Sequence, residues 1–215
     1  MTEMLVLPFY VVVDVSYSMT TPPKSGEGIV PLAAGNQIVK AVKQVLDKSP
    51  ILSDKVRFSM LDFSDDAQVV IPMCDLLTVD PADIPSLSAR GGTSFAAAFD
   101  LLKKQIAIDV AQLKAEGHKV HRPAAFFLTD GEPTEADQVW KASFASLTDP
   151  SFAARPNVIP FGVAEAKKVL LDQLVHGTGM RSFVAREGED AGVAITQMAE
   201  KLIGSIVASV NSVTT

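Results

Sequence analysis

The sequence predicts an α/β fold: a doubly wound, mainly parallel central sheet with one antiparallel edge strand and helices on both faces. Apolar, β-branched runs typical of strands buried on both faces alternate with segments whose apolar residues recur at helical spacing. Strands that alternate with helices form a parallel sheet covered on both sides. One pair of strands is joined only by the short turn at residues 64–66, which predicts an antiparallel hairpin.

The first half of the chain supplies three predicted strands and one helix. A strand is predicted over residues 5–13, where nearly every side chain is apolar, and a loop rich in proline and glycine follows it. Helical spacing predicts a helix over residues 33–48. This helix is expected to end before Pro50, because the residue before a proline disfavours the helical conformation. Further strands are predicted over residues 55–63 and 67–71.

The second half repeats the alternation of helices and strands. A long helix is predicted over residues 94–116, with Thr93 or Ser94 as its cap and Gly117 as its stop. The remaining predicted elements are a strand over 123–129, a helix over 135–147, a strand over 158–163, a helix over 166–175, an edge strand over 181–184 and a closing helix over 190–210.

Composition limits the classes of function. The 215 residues are 47% hydrophobic and 20% charged, which is ordinary for an α/β protein and predicts a single domain over residues 1–215. The formal net charge of −6 argues against nucleic-acid binding, which needs a basic face. Cys74 is the only cysteine, so a cysteine-based zinc site is excluded.

The expected location follows from what the sequence lacks. No apolar run approaches the ~20 residues that span a bilayer, and the first residues lack the basic segment of a signal peptide. We therefore expect a cytoplasmic protein without membrane contact. The sequence leaves the oligomeric state open.

Three separated patches carry oxygen ligands suited to a hard cation. Asp14, Ser16 and Ser18 follow the first strand, Thr93 follows a glycine pair, and Asp130 follows the strand over 123–129. In doubly wound sheets, ligands bind outside the carboxyl ends of the strands. Two carboxylates and three hydroxyls suit Mg²⁺ or Mn²⁺, with Ca²⁺ a poorer fit, and offer no soft ligand for zinc or copper. The set leaves room for water or for the carboxylate of a partner.

Each of these residues also has an ordinary structural explanation. Ser16 and Ser18 suit turn or cap positions, Thr93 suits a helix N-cap, and Asp130 suits a turn. The metal interpretation depends on their joint occurrence at predicted strand ends. Gly91 and Gly92 support it, because without a Cβ atom their backbone could approach the same point.

The motifs Asp14-Val15-Ser16-Tyr17-Ser18, Gly91-Gly92-Thr93 and Thr129-Asp130-Gly131 resemble the DxSxS…T…D signature of von Willebrand factor A (VWA) domains, a Rossmann-like family. The resemblance covers nearly the whole chain in motif order and strand–helix alternation. It implies a metal-ion-dependent adhesion site, abbreviated MIDAS. Ser16, Ser18 and Thr93 would supply hydroxyl ligands, and Asp14 and Asp130 would act directly or through water.

The resemblance also implies a partner. In the family an acidic residue of a protein partner commonly takes the sixth coordination position, so we expect a protein that presents a carboxylate. The compact length is similar to that of bacterial VWA proteins of the tellurium-resistance (TerY-like) group. That likeness implies a role in the response to tellurium or chemical stress.

Two further residues are expected at the rim of the site. Tyr17 stands where the family often has glycine, and it either offers a surface to the partner or is folded away from the site. Glu132 follows Asp130 closely and is either an acceptor for metal-bound water or an exposed loop acid. Both are predicted to border the partner-binding face.

The competing class is a Mg²⁺-dependent hydrolase or phosphoryl-transfer enzyme. Phosphatases of the haloacid-dehalogenase type need a second aspartate two residues after the first, where this chain has Ser16. The sequence contains no P-loop and no dinucleotide-binding glycine motif after the first strand. His118, His121 and His176 are not expected near the serines. We therefore predict a binding module rather than an enzyme; a metal-stabilised scaffold without an acidic partner is the third alternative.

Overall fold

The computed structural model describes residues 4–22, 30–164 and 166–185. Within these residues there are seven strands: β1 (Leu5–Asp14), β2 (Val56–Phe63), β3 (Ala67–Cys74), β4 (Lys119–Val120), β5 (Ala124–Thr129), β6 (Asn157–Gly162) and β7 (Phe183–Val184). The α-helices in the same ranges are α1 (Pro31–Gly35), α2 (Ile38–Asp47), α3 (Pro50–Lys55), α4 (Phe95–Ala115), α5 (Asp137–Thr148) and α6 (Lys168–Gln173).

The strands form one mixed sheet in the order β3-β2-β1-β5-β6-β7, and β4 pairs with the start of β1. All described pairings between strands are parallel except that of β3, which lies antiparallel to β2 at the edge of the sheet. The fold class predicted from the sequence is therefore confirmed, including its antiparallel edge strand.

Two hydrophobic layers cover the two faces of the sheet. Alternate residues of β1 enter opposite layers: Phe9 and Val11 pack towards α1, α2 and α3, and Val12 packs towards α4 and α5. This alternation is the period-two pattern of a strand buried on both faces. It leaves the ends of the parallel strands, rather than the faces of the sheet, open for a functional site.

A polar pair fastens α4 to the sheet inside the second layer. The Tyr10 hydroxyl donates to Asp109 Oδ2 at 2.8 Å, and Gln105 Nε2 donates to Asp109 Oδ1 at 2.8 Å. Burial raises the pKa of the Asp109 carboxyl, although both hydrogen bonds act in the opposite direction. The Tyr10 hydroxyl and the Asp109 carboxylate thereby obtain hydrogen-bond partners within an apolar layer.

The helix predicted over residues 33–48 is two helices in the structure. Asn36 separates α1 from α2, and its side chain is held by Leu87: Asn36 Oδ1 accepts from the Leu87 N–H at 2.7 Å, and Asn36 Nδ2 donates to the Leu87 carbonyl at 3.3 Å. The predicted end before Pro50 is confirmed, because α2 ends at Asp47, and Pro50 opens the short helix α3 at its first position.

The other predicted elements agree with the structure apart from their ends. Strand β3 continues to Cys74 beyond the predicted end, and the two-residue strand β4 was not predicted. The closing helix predicted over residues 190–210 lies outside the described residues.

Candidate metal centre

Asp14 and Asp130 lie side by side because β1 and β5 are neighbours in the sheet. Asp14 is the last residue of β1, and Asp130 follows β5 directly. Ser18 Oγ donates to Asp130 Oδ1 at 2.9 Å, and the hydroxyls of Ser16 and Ser18 are 3.0 Å apart. The structure therefore brings two of the predicted patches together at the carboxyl edge of the sheet.

The carboxylate of Asp14 is fixed by its own loop and by β5. The backbone N–H of Ser16 donates to Asp14 Oδ1 at 2.8 Å, and the hydroxyl of Thr129 donates to Asp14 Oδ2 at 2.7 Å. The sequence predicts Thr129 at a strand end and within the third motif, but it predicts no role for the Thr129 hydroxyl. This hydroxyl ties the two strands that carry the acidic residues, so the orientation of Asp14 is set before any ligand binds.

The backbone brings Thr93 to the same edge. The Arg90 N–H donates to the Val15 carbonyl at 2.8 Å, and the Tyr17 N–H donates to the Gly91 carbonyl at 3.3 Å. On the other side, the backbone N–H and the hydroxyl of Thr134 both donate to the Thr93 carbonyl, at 2.8 Å and 3.1 Å. The buried Thr93 therefore lies between the loop after β1 and the loop after β5.

The two buried carboxylates of the site have no positively charged partner among the described residues. Asp14 and Asp130 are buried, and within the described part of the chain neither carboxylate forms an ion pair with a lysine, arginine or histidine. The pKa of Asp14 is raised from 3.8 to about 6, mainly by burial and in smaller part by the charge of Asp130, although the hydrogen bonds from Ser16 and Thr129 lower it. Burial also raises the pKa of Asp130. Buried charges in proteins are normally paired or coordinate metals, so this donor set fits a divalent cation.

Hydroxyl groups are necessary to this fit. Among the residues that the structure describes, no three histidine, cysteine or acidic side chains come together as a metal cluster. Two carboxylates alone are too few for the six or more oxygen ligands that Mg²⁺ or Ca²⁺ takes. Ser16, Ser18 and Thr93 would raise the number of protein oxygens, and water or a partner would supply the rest.

The raised pKa predicts how pH acts on the metal-free protein. Asp14 binds a proton more tightly in the folded chain than in the unfolded one, so the free energy of unfolding should fall as pH rises from about 4 to about 6, and the penalty is complete above that window. A bound cation would remove this penalty. We expect Mg²⁺ to raise the thermal midpoint more at about pH 7.5 than at about pH 5, measured by scanning calorimetry. Equal shifts at both pH values would contradict a metal site that contains Asp14.

The two residues predicted at the rim differ in their surroundings. Tyr17 is 65% exposed, so its ring is not folded into the protein and is available to a partner. Glu132 is also exposed, but its Oε1 lies 2.8 Å from Lys167 Nζ in an ion pair. Its carboxylate is therefore engaged at the surface by a lysine. Because Ser18 is exposed as well, the site opens to solvent on the side of the loop after β1.

Glu135 is an acidic residue of this region that the sequence analysis did not single out. Its Oε1 accepts from the Ala96 N–H at 2.8 Å, in the first turn of α4, and its Oε2 is buried without a hydrogen-bond partner among the described residues. The Glu135 carboxylate therefore caps the start of α4, close to Thr93, although Glu135 itself lies just before α5. A capping signal read along the chain alone could not find it, because the partners are 39 residues apart.

All three histidines of the chain lie at the other end of the sheet. The His118 N–H donates to the Leu113 carbonyl near the end of α4, the His121 N–H donates to the Val6 carbonyl at the start of β1, and His176 pairs with Val158 at the start of β6. No histidine is therefore placed to act as a base towards Ser16 or Ser18.

Comparison with known proteins gives the family. A family model described as von Willebrand factor type A domain matches residues 9–132. No protein in a search of curated sequences matches the chain. Within the described residues, no helix has both the length and the apolar character needed to cross a membrane.

Several solved structures share the fold. Proximal thread matrix protein 1 from the mussel byssus is 15% identical with a TM-score of 0.61, over 92% of this chain and 48% of that chain. Another structure of that protein, with a zinc-occupied MIDAS motif, is 14% identical with a TM-score of 0.59, over 94% of this chain and 48% of that chain. This chain therefore spans about half the length of the mussel protein.

Two shorter relatives match over nearly their full length. The SpRpn10 VWA domain is 12% identical with a TM-score of 0.59, over 89% of this chain and 95% of that chain. BatB from Bacteroides thetaiotaomicron is 15% identical with a TM-score of 0.56, over 93% of this chain and 99% of that chain. At these identities the similarity shows the common fold.

Proposed function

The chain belongs to the von Willebrand factor type A domain family, and on that premise we propose that it is a protein-binding module that holds an acidic side chain of its partner through a divalent cation. One observation carries the proposal. Two buried carboxylates, Asp14 and Asp130, lie together with hydroxyl groups at the carboxyl edge of the sheet, and no cationic side chain of the described residues pairs with them.

The proposed ligand set is Asp14, Ser16, Ser18, Thr93 and Asp130. A divalent cation bound there would offer a positively charged coordination position to an oxygen of the partner. The two carboxylates balance the charge of such an ion without reversing it, so a third carboxylate from outside is still attracted. The exposed Ser18 and Tyr17 leave this side of the site accessible to a partner.

The proposed cation is Mg²⁺ or Mn²⁺, because all ligands are oxygens; Ca²⁺ is a poorer fit. Zinc belongs in the test as well, since the MIDAS motif of one structural neighbour is zinc-occupied. Carboxylate oxygens bind zinc even though histidine and cysteine are its more frequent ligands.

The proposal extends to the type of protein. We propose a cytoplasmic, non-catalytic VWA protein of the TerY-like group that acts in the response to tellurium or chemical stress. The similarity in length supports the group, and the distance of the histidines from the serines supports a non-catalytic role. Deleting the gene should make the source organism more sensitive to tellurite; unchanged sensitivity would contradict this assignment.

Affinity capture tests the binding function. Immobilised protein should retain a partner from a lysate in the presence of Mg²⁺ and release it when a chelator is added. The variant Asp14→Asn should retain no partner. The control is Asp54→Asn, which should behave as the wild type, because Asp54 is exposed and lies in α3, just before β2 begins and away from the carboxyl edge of the sheet. Capture that is the same with and without metal would contradict the proposal and favour a metal-stabilised scaffold.

A further inference from the structure

The glycine pair before Thr93 leaves space for a carboxylate of the neighbouring turn. A Cβ atom at Gly91 would lie 2.4 Å from Asp65 Oδ2, and one at Gly92 would lie 2.8 Å from Asp65 Oδ1. Both separations are shorter than real carbon–oxygen contacts. The Gly91 carbonyl also approaches the loop after β1, where it accepts from the Tyr17 N–H. The space beside the two glycines is filled by the side chain of Asp65, which lies in the turn between β2 and β3.

Asp65 is also bonded to this pair. The Gly92 N–H donates to Asp65 Oδ1 at 2.9 Å. The preceding residue, Ser64, accepts at its carbonyl from the Ser94 N–H at 2.6 Å. The two neighbours of Thr93 in the chain, Gly92 and Ser94, are therefore both hydrogen-bonded to the turn between β2 and β3. These two bonds fix the height of Thr93 above the edge of the sheet.

The other charged groups of the turn are engaged elsewhere. Arg90 Nη2 lies 2.7 Å from Asp62 Oδ1 and 3.3 Å from Asp66 Oδ1. The guanidinium group of Arg90 therefore holds Asp62 at the end of β2 and Asp66 in the turn. Asp65 itself is directed to the backbone of the glycine pair.

We propose that Asp65 is a positioning residue of the metal site: its carboxylate holds the Gly91–Gly92 turn so that the Thr93 hydroxyl stands ready to bind the cation. Asp65 acts through Gly92 and does not itself bind the metal. This inference rests on the proposed function, because it assigns a role within the same site. Groups that orient metal ligands typically change metal affinity by about tenfold or more when they are removed.

Titration calorimetry with Mg²⁺ tests the role of Asp65. We expect Asp65→Ala to weaken Mg²⁺ binding about tenfold, and Asp65→Asn, whose amide oxygen still accepts from Gly92, to stay within about threefold of the wild type. The control Asp54→Ala also removes one negative charge, but from an exposed residue of α3 away from the site, and it should leave the Mg²⁺ affinity unchanged.

The outcomes separate three explanations. Wild-type affinity in Asp65→Ala would overturn the positioning role. Equal weakening by Asp65→Asn and Asp65→Ala would also overturn it, because the charge rather than the hydrogen bond would then be responsible. If the wild type binds none of Mg²⁺, Mn²⁺, Ca²⁺ and Zn²⁺, the proposed function fails, and this result is distinct from either of the other two.

A second variant tests the same contact from the glycine side. Gly92→Ala would place a methyl group against Asp65 Oδ1 and 3.3 Å from Thr134 Cγ2. It should weaken Mg²⁺ binding in the wild-type background and have a smaller effect in the Asp65→Ala background, where the obstructing carboxylate is gone. Additive effects of the two substitutions would overturn the proposal.

Discussion

Replacing Asp14 by asparagine should stabilise the metal-free protein near neutral pH and, at the same time, abolish its binding of Mg²⁺. The buried carboxyl has a pKa of about 6 in the folded protein against an ordinary value of 3.8, which corresponds to a penalty of roughly 3 kcal/mol for the ionised form at 1.36 kcal/mol per pKa unit. Asparagine carries no charge and avoids this penalty. It also loses the carboxylate that the proposed site needs.

The hydrogen bonds of Asp14 can be kept by asparagine. An amide oxygen accepts from the Ser16 N–H as Oδ1 does, and the amide N–H₂ can donate to the Thr129 hydroxyl, which is then free to donate to the Gly131 carbonyl 3.5 Å away. Asp14→Asn therefore isolates the effect of charge from that of geometry.

Urea unfolding of chelator-treated protein at about pH 7.5, with and without added Mg²⁺, measures both effects. We expect the variant to exceed the metal-free wild type in free energy of unfolding and to gain nothing from Mg²⁺. Asp54→Asn, at an exposed position, should follow the wild type in both conditions. A metal-free variant less stable than the metal-free wild type would show that the carboxylate is not destabilising, and would contradict the electrostatic argument.

Phe127→Ala should produce a large loss of stability through the second hydrophobic layer. The ring of Phe127 is 1% exposed and lies 5.0 Å from Phe63 in a stacked pair and 5.1 Å from each of Phe95 and Phe99, centroid to centroid. Truncation would leave a cavity among three rigid rings that cannot easily collapse. We expect a loss of about 4 kcal/mol in the free energy of unfolding.

A partly buried phenylalanine of the same layer provides the comparison. Phe144 also contacts Phe99, at 5.1 Å between ring centroids, but lies at the margin of the cluster on α5. Phe144→Ala should lose no more than about 2 kcal/mol, because water and neighbouring side chains can fill its place. Equal losses in the two variants, measured by urea unfolding, would contradict a core centred on Phe127.

The sequence predicted β1 and β5 well because each is a nearly uninterrupted apolar run. Residues 5–13 and 123–129 differ from β1 and β5 only at their ends. The break between α1 and α2 could not be predicted in the same way. At this break the side chain of Asn36 is held by the backbone of Leu87, 51 residues later in the chain. Helical spacing contains no information on such a tertiary contact.

In the candidate site, too, local motifs predicted some residues and tertiary contacts determined the rest. The five predicted ligands were identified from short motifs, and the strand order of the sheet brings their loops to one edge. The groups that hold those loops, Asp65 and Glu135, were not identified, because each bonds to a backbone N–H distant in sequence. Glu132, which was identified as a rim residue, pairs with Lys167 in a surface contact that no motif encodes.

Isothermal titration of chelator-treated protein measures directly whether this site binds a divalent cation. We expect Mg²⁺ or Mn²⁺ to bind at one saturable site in the wild type and not in Asp14→Asn, with Ca²⁺ and Zn²⁺ titrated alongside for comparison. Absence of saturable binding by all four cations would contradict a metal site, and would mean that the five proposed ligands only cap and fasten the loops at this edge of the sheet: Asp14, Ser16, Ser18, Thr93 and Asp130.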